Sequence, residues 1–275
     1  MTVTKRRRYD LVRRLGIEPT IAARLKATLG RAVDSAAARS PGHVTVLDAG
    51  CGRTSPLIGF RDRIDRFVGV DIHAPETPLA YLDEFATVDL CSDGASFPEG
   101  SFEVVLSNFT FEHFADPSSA LANLYRWLRP GGTLVITTVN RRHPFVSAYL
   151  RFPDGPRRRI QPLVKATTAD AHPLVGICND PETVAGALAE AGFERVELET
   201  VGNLARAWGR RLPTFAIGLA GDLIAQGSPS RRSTILASAV KPAGAGGDTL
   251  PGGDTLAGGD TLAGGGTDAG APAVS

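Results

Sequence analysis

The chain has 275 residues, 43% of them hydrophobic, and a formal net charge of +1, enough for one large α/β domain or two small ones. No segment reaches the roughly 18 apolar residues of a membrane span, and the basic start has no apolar run behind it to make a signal peptide. Cys51, Cys91 and Cys178 are odd in number and widely spaced, which excludes a disulfide framework or a zinc pattern and favours a reducing cytoplasm.

In chain order, "KRRRYDLVRR" (5–14) opens with a basic cluster. Such a run meets nucleic acid or an anionic membrane, or is simply a solvated face, which is commoner. Residues 9–39 have helical periodicity broken near Pro19. "HVTVLDAG" (43–50) reads as a strand, followed by "RFVGVDI" (66–72), "FATVDL" (85–90) and "SFEVVLSN" (101–108). "SSALANLYRWLRPGG" is a helix with Leu121, Leu124, Tyr125 and Leu128 on one stripe and Gly131 and Gly132 past its end. "TLVITTVN" (133–140) is a fifth strand. "DPETVAGALAEAGF" is a helix capped by Asp180, with Pro181 at its first position and Gly192 at its stop. "ERVELETV" and "TILASAV" alternate as strands. Strands separated by helices give a doubly wound, mostly parallel α/β sheet of seven strands, with helices on both faces.

After Pro242 the character changes. The last 33 residues hold 11 Gly, no aromatic and no Lys or Arg, with a repeat GGDTLP, GGDTLA, GGDTLA. One Leu per repeat cannot offset ordering entropy, so 243–275 is expected to be a disordered tail. Its four Asp leave five net positive charges on the first 242 residues.

In doubly wound sheets a ligand binds outside the carboxyl ends of the strands. Here the first strand ends in Asp48-Ala49-Gly50-Cys51-Gly52, the second at Asp71-Ile72, and the third at Asp89-Leu90. The fourth ends in Ser107-Asn108. Three successive carboxylates repel unless a ligand or donors offset them. A dinucleotide does not fit, because residue 55 is Ser where the fingerprint has Gly. Asp48 would also oppose a pyrophosphate. A P-loop is excluded by the absence of a Gly-Lys-Ser/Thr after the turn. The fitting ligand is a nucleoside without phosphates and with a positive end. Glycines admit its backbone approach. Asp48 faces an ammonium group. Asp71, 21 residues after Gly50, takes ribose hydroxyls, and Asp89 accepts from the adenine amine with Leu90 and Ile72 on the ring.

"VLDAGCG", "VGVDI", "VDL", "FEVVLSNFTFEHF" and "LRPGGTLVITTVN", in this order, resemble the successive motifs of class I S-adenosylmethionine-dependent methyltransferases. The resemblance covers roughly residues 43–140, and "LAEAGFERVEL" (188–198) resembles the late helix and sixth strand. It implies a Rossmann-like fold and S-adenosyl-L-methionine as cofactor. The implied cofactor set is Asp48, Gly50, Cys51, Gly52, Asp71, Ile72, Asp89, Leu90 and Asn108, with Thr54 in place of the turn's usual third glycine.

An oxygen or nitrogen acceptor also needs a base. Candidates are Glu112, His113, His143 and His172, with His113 nearest the expected methyl, although a Glu-His pair here is often scaffold. Some relatives bind a metal through an acid where Phe109 stands, so no metal is expected. Phe109, Arg141 and His143 are expected on the substrate side. Substrate choice is placed in the N-terminal segment and in the Arg-rich stretch 141–178, which binds an anionic acceptor or forms a solvated lid. The apolar stretch 212–225 is too short to span a bilayer; it packs on the domain, forms a dimer face, or lies at a membrane surface. The expected organisation is a methyltransferase domain over 1–242, with a helical segment over 1–40, a substrate insertion over 141–178 and a helical insertion over 203–227. Its acceptor is a small molecule, with peripheral membrane contact left open. "SNFTF" lacks the Asp/Asn-Pro-Pro-aromatic motif that the family's amino-methylating nucleic-acid enzymes show, which argues against base-amine methylation, and nucleic acid is not the expected partner. RNA ribose or ring-carbon methylation, and a non-catalytic cofactor-binding role, are the alternatives.

Overall fold

A computed structural model describes residues 3–17, 20–92, 97–153, 155–156, 178–209 and 211–244. The predicted tail over 243–275 lies outside these residues save for its first two, as does His172. Helix α1 (Val3–Arg14) and α2 (Ile21–Arg39) divide the N-terminal helical segment, and the Thr20 side chain caps α2 by accepting from the Ala23 N–H at 3.2 Å. Strands β1 (Thr45–Ala49), β2 (Arg66–Asp71), β3 (Glu84–Thr87) and β4 (Phe102–Asn108) follow. Then come α3 (Pro117–Trp127), β5 (Leu128–Val139), α4 (Pro144–Arg151), α5 (Pro181–Glu190) and β6 (Glu194–Val201). The last elements are α6 (Leu204–Ala207), α7 (Leu212–Gln226) and β7 (Thr234–Val240).

The seven strands lie in the order β3-β2-β1-β4-β5-β7-β6, parallel except for β7, which is antiparallel to both neighbours. Strand order reverses between β1 and β4, so their carboxyl ends flank the switch point. Alternation of side chains assigns the two cores. Val46, Val104 and Val135 face α2 with Leu25, Leu29 and Phe60. Leu47, Val105 and Leu134 face α3 and α5 with Leu124, Trp127 and Leu188.

Two expected boundaries move. Leu128 is not the last stripe position of α3 but the first residue of β5, extended, fully buried and paired with Phe102. The Pro-Gly-Gly segment therefore lies inside the strand, where the ladder shifts register beside Phe102 and Val104. The third strand stops at Thr87, three residues short of its expected end, because the Asp89 carboxylate accepts the Cys91 N–H at 2.9 Å and turns the chain. Among the described residues, no helix is long and apolar enough to cross a membrane.

The insertion between β6 and β7 is organised from inside by Asp222. Its side chain is buried and accepts from the Leu204 and Ala205 N–H groups, at 3.1 and 2.8 Å, and from the Ser233 hydroxyl at 3.2 Å. It thereby caps α6, whose own cap residue Asn203 makes no side-chain cap. Burial raises its pKa while the donors hold it down. Asp222→Ala leaves these donors buried and unpaired, and is expected to cost about 2–4 kcal/mol in urea unfolding, with Asn retaining part of the loss. A change within 0.5 kcal/mol, roughly the scale of a neutral surface substitution, would contradict this capping role.

Candidate active site

A cleft of about 600 Å³ opens at the carboxyl ends of β1, β2 and β4. All nine residues expected to hold the ligand line it: Asp48, Gly50, Cys51, Gly52, Asp71, Ile72, Asp89, Leu90 and Asn108. The parallel register explains the convergence. Asp48 pairs with Gly69 on one side and Leu106 on the other, so the three strand ends emerge side by side.

The turn after β1 is built for close approach. Gly50 and Gly52 are both left-handed, with φ of 82° and 52°. A Cβ on Gly50 would lie 2.4 Å from the Thr110 side chain, so the turn cannot carry another residue without displacing the loop after β4. The Gly50 and Cys51 N–H groups donate to the Val70 carbonyl at 2.8 and 3.0 Å. The Asp71 carboxylate accepts from Gly52 N–H at 3.0 Å and His73 N–H at 3.2 Å. It thus ties the first turn to the second and offers its remaining lone pairs to the cleft.

Asp48 is different. It is 1% exposed, and neither carboxylate oxygen has a hydrogen-bond partner among the described residues. Burial raises its pKa to about 7; the Ser55 hydroxyl opposes the rise and the nearby Asp71 charge adds to it. Burial likewise pushes the Cys51 thiol up to about 12, so this sulfur stays protonated and is no nucleophile.

The far wall is the loop after β4. Asn108 accepts from the Thr137 hydroxyl at 2.7 Å. Phe109 has a left-handed φ of 56°, which a non-glycine residue adopts at a cost of about 1–2 kcal/mol. Its N–H donates to the Thr137 carbonyl at 2.9 Å, so β5 helps hold the strained turn. His113 and Phe114 complete the lining, with Phe114 packed edge-on against Phe111.

Three expected site residues stand elsewhere. Glu112 is buried away from the cleft, where it accepts from the Thr138 hydroxyl at 2.8 Å and anchors the loop to β5. His143 is fully buried, and its Nδ1 caps α4 by accepting from the Phe145 and Val146 N–H groups at 3.2 and 3.4 Å. Burial lowers its pKa, which keeps the imidazole neutral and Nδ1 free to accept. Arg141 has an exposed side chain that does not line the cleft, while its N–H donates to the Asn179 carbonyl at 2.8 Å.

Sequence reasoning passed over the residues that act through others. Asn123 on α3 is buried, and its amide donates to the Leu90 and Ser92 carbonyls at 3.0 and 2.9 Å, fixing the loop after β3. The available signal was an amide between Leu121 and Leu124, within an apolar face. Thr110 and Thr137 carry no such signal.

A family model described as a methyltransferase domain matches residues 21–198, more than half of the chain. Demethylmenaquinone methyltransferase of Thermus thermophilus is 30% identical over 218 residues, covering 71% of this chain and 92% of the relative. Phosphoethanolamine N-methyltransferase 3 of Arabidopsis thaliana is 27% identical over 163 residues, 56% of this chain, and the match spans 29% of that protein's length. A solved structure of Haemonchus contortus phosphoethanolamine N-methyltransferase 2, in complex with phosphomonomethylethanolamine and S-adenosylhomocysteine, superposes with a TM-score of 0.48 at 16% identity. That superposition covers 78% of this chain and 52% of the other.

The buried Asp48 makes ligand-free stability depend on pH. Its folded pKa of about 7 exceeds the unfolded value of 3.8, so its contribution is full below about pH 4 and is lost as pH rises through 7. The loss is on the order of 4 kcal/mol. Asp48→Asn removes the titration. It is expected to be more stable than the parent in denaturant melts at pH 8, and to lose that advantage towards pH 4. A stability difference that stays constant over this range would exclude Asp48 as the cause.

Proposed function

This chain belongs to the class I S-adenosylmethionine-dependent methyltransferases, and from that premise we propose that its cleft directs methyl transfer to a small apolar acceptor admitted past Phe109 and His113. It is an enzyme, and S-adenosylmethionine is its cofactor. The observation that carries the residue assignment is the orphaned carboxylate of Asp48. A buried acid with neither oxygen satisfied fits a ligand that brings a positive charge and donors, as an amino-acid ammonium does. A diphosphate fits neither Asp48 nor Asp71.

In this reading Asp48 and the turn from Gly50 to Gly52 hold the methionine end. Asp71, already oriented by two N–H groups, takes the ribose hydroxyls. The exposed Asp89 takes the adenine amine, between Ile72 and the buried Leu90. Ile72 is 50% exposed, and a ring laid on it removes that apolar surface from water.

When bound, S-adenosylmethionine supplies a methyl already activated on sulfur, so the protein's work is to position the acceptor and exclude water. Asn108, braced by Thr137, sets the wall between β1 and β4. Phe109, held in its strained turn, presents a rigid ring at the acceptor side. His113 serves as base when the attacking atom is oxygen or nitrogen, taking the proton on an imidazole nitrogen. Glu112 and His143 act through packing, as the anchor of the His113 loop and the cap of α4.

An apolar acceptor is supported by two features. The lining beyond Asn108 is largely aromatic, with Phe109 and Phe114. The relative that the match covers almost throughout is named for a quinone, demethylmenaquinone. The three cysteines are free, and we place the reaction in the reducing cytoplasm on that ground. The Arg-rich insertion belongs mostly to residues outside those described, so an anionic acceptor gains no support from it.

S-adenosylmethionine and S-adenosylhomocysteine are expected to raise the melting temperature, and NAD is not, because only a binder of the native state stabilises it. Equal stabilisation by NAD would overturn the assignment of the cleft. Affinity is expected to weaken as pH falls below 7, by up to about tenfold per unit, because an ammonium must displace the proton from Asp48. Asp71→Ala is expected to lose about 1.5–3 kcal/mol of cofactor binding by calorimetry. Unchanged affinity would remove Asp71 from the site.

A further inference from the structure

Helix α7 is inverted in polarity. Its inward face buries Thr214, Phe215, Gly218, Asp222 and Ala225. Its outward positions up to Ile224 are Leu212, Pro213, Ala216, Ile217, Ala220, Leu223 and Ile224, all exposed and none polar, and Gln226 at its last position is the exposed polar residue of the helix. Leu212 and Ile224 are 62% and 64% exposed. A water-facing helix ordinarily turns its polar residues outward. Among the described residues nine large apolar side chains are exposed, and six lie on α7, on α1 or directly after it: Leu11 on α1 and Leu15 in the turn that follows join the four of α7.

The two helices are tied together. Val12 and Ile17 pack with Phe215 and Ala205. The Arg8 guanidinium lies 5.7 Å from the Phe215 ring centre and donates to the Gly209 carbonyl at 2.9 Å. Gln226 donates to the Leu15 carbonyl at 3.2 Å.

Their surroundings are basic. Segments 5–14 and 204–232 contain eleven Lys and Arg and only two acids. Of those acids Asp222 is buried, and Asp10 pairs with Arg13 at 3.4 Å. Arg13, Arg14, Arg211 and Arg231 are exposed.

We propose that α7 and α1 form a docking surface for an anionic lipid bilayer. At 15 residues α7 is about 22 Å long, short of the roughly 30 Å hydrocarbon core, so it lies in the plane of the interface. Its apolar face enters the headgroup boundary while the flanking arginines meet lipid phosphates. Charge favours this occupant over a second copy of the chain, since a twofold contact brings the arginines of both copies together. The surface stands at the cleft's edge of the sheet. Val201, the last residue of β6, pairs with Thr234, which pairs with Val139 at the end of β5. A Cβ on Gly221 of α7 would meet Phe145 of α4 at 2.7 Å. The inference does not depend on the acceptor proposed above.

The test is co-sedimentation of the full chain with phosphatidylglycerol–phosphatidylcholine vesicles. Binding is expected, weaker on phosphatidylcholine alone and weaker in high salt. Ile217→Glu with Ile224→Glu is expected to weaken binding by about tenfold or more while leaving the S-adenosylmethionine-induced thermal shift intact, which shows that the variant folds. Absence of binding by the parent chain, or equal binding by the variant, overturns the proposal. So does a parent dimer in sedimentation velocity that the variant abolishes without any vesicle binding, since the face is then an interface between copies.

Discussion

A carboxylate enclosed by protein is stable in its charged form only when something offsets the lost water, and among the described residues Asp48 has no hydrogen bond to either oxygen and only the Ser55 hydroxyl opposing the rise of its pKa. Everything around it is arranged so that it stays there. The parallel ladders on both sides of β1 fix its depth. The left-handed Gly50 turns the chain away immediately afterwards, and the Thr110 side chain closes against that turn. Asp71 spends one oxygen on each of two backbone donors, which keeps the second strand end in register with the first. The ligand-free protein therefore carries an electrostatic deficit, and in the proposed reading a positively charged ligand cancels it while a phosphate adds to it. In that reading one buried charge serves affinity and discrimination together.

The deficit also explains why the far wall is braced so heavily. In the proposed reading such a cleft must still hold the acceptor at a defined distance, a task that falls to the loop after β4, which lines its far wall. It is fixed from β5 at three points, through Thr137 to Asn108 and Phe109, and through Thr138 to Glu112. A left-handed Phe109 persists because these bonds over-determine it.

The strand ends were legible because a buried parallel strand is a short apolar run, and the residue that breaks it stands out. Asp48, Asp71 and Asp89 are such breaks, and all three line the cleft. What was not legible depends on pairs distant in sequence. Thr137 matters through a residue 29 positions away, and a threonine in a strand announces nothing. His143 misled because a histidine in a polar stretch reads as accessible; Pro144 starts a helix there, and the imidazole became its cap. Leu128 fitted the stripe of α3 by spacing, yet its pairing with Phe102 decided its state, since period alone cannot register a partner strand. The polarity of α7 was hidden for a similar reason. One Asp in an apolar helix is normally the outward residue, and only the three donors at Leu204, Ala205 and Ser233 reverse it.

Those donors connect the insertion to the working edge of the sheet. On the opposite edge the connections are brief: α3 passes directly into β5, and residues 191–193 join α5 to β6. The long excursions, 140–180 and 202–233, both leave from the carboxyl edge, after β5 and β6, and the second also returns there because β7 runs antiparallel. A doubly wound sheet tolerates length at that edge, where loops already diverge around a ligand, and resists it at the other, where helices must re-enter the sheet. Asp222 turns one such excursion into a rigid shelf by capping α6 from within α7, and in doing so commits the only acid of the helix to the interior. The apolar residues left on the outside are then a consequence of how the shelf is fastened, and the insertion that carries them starts and ends at the carboxyl edge of the sheet.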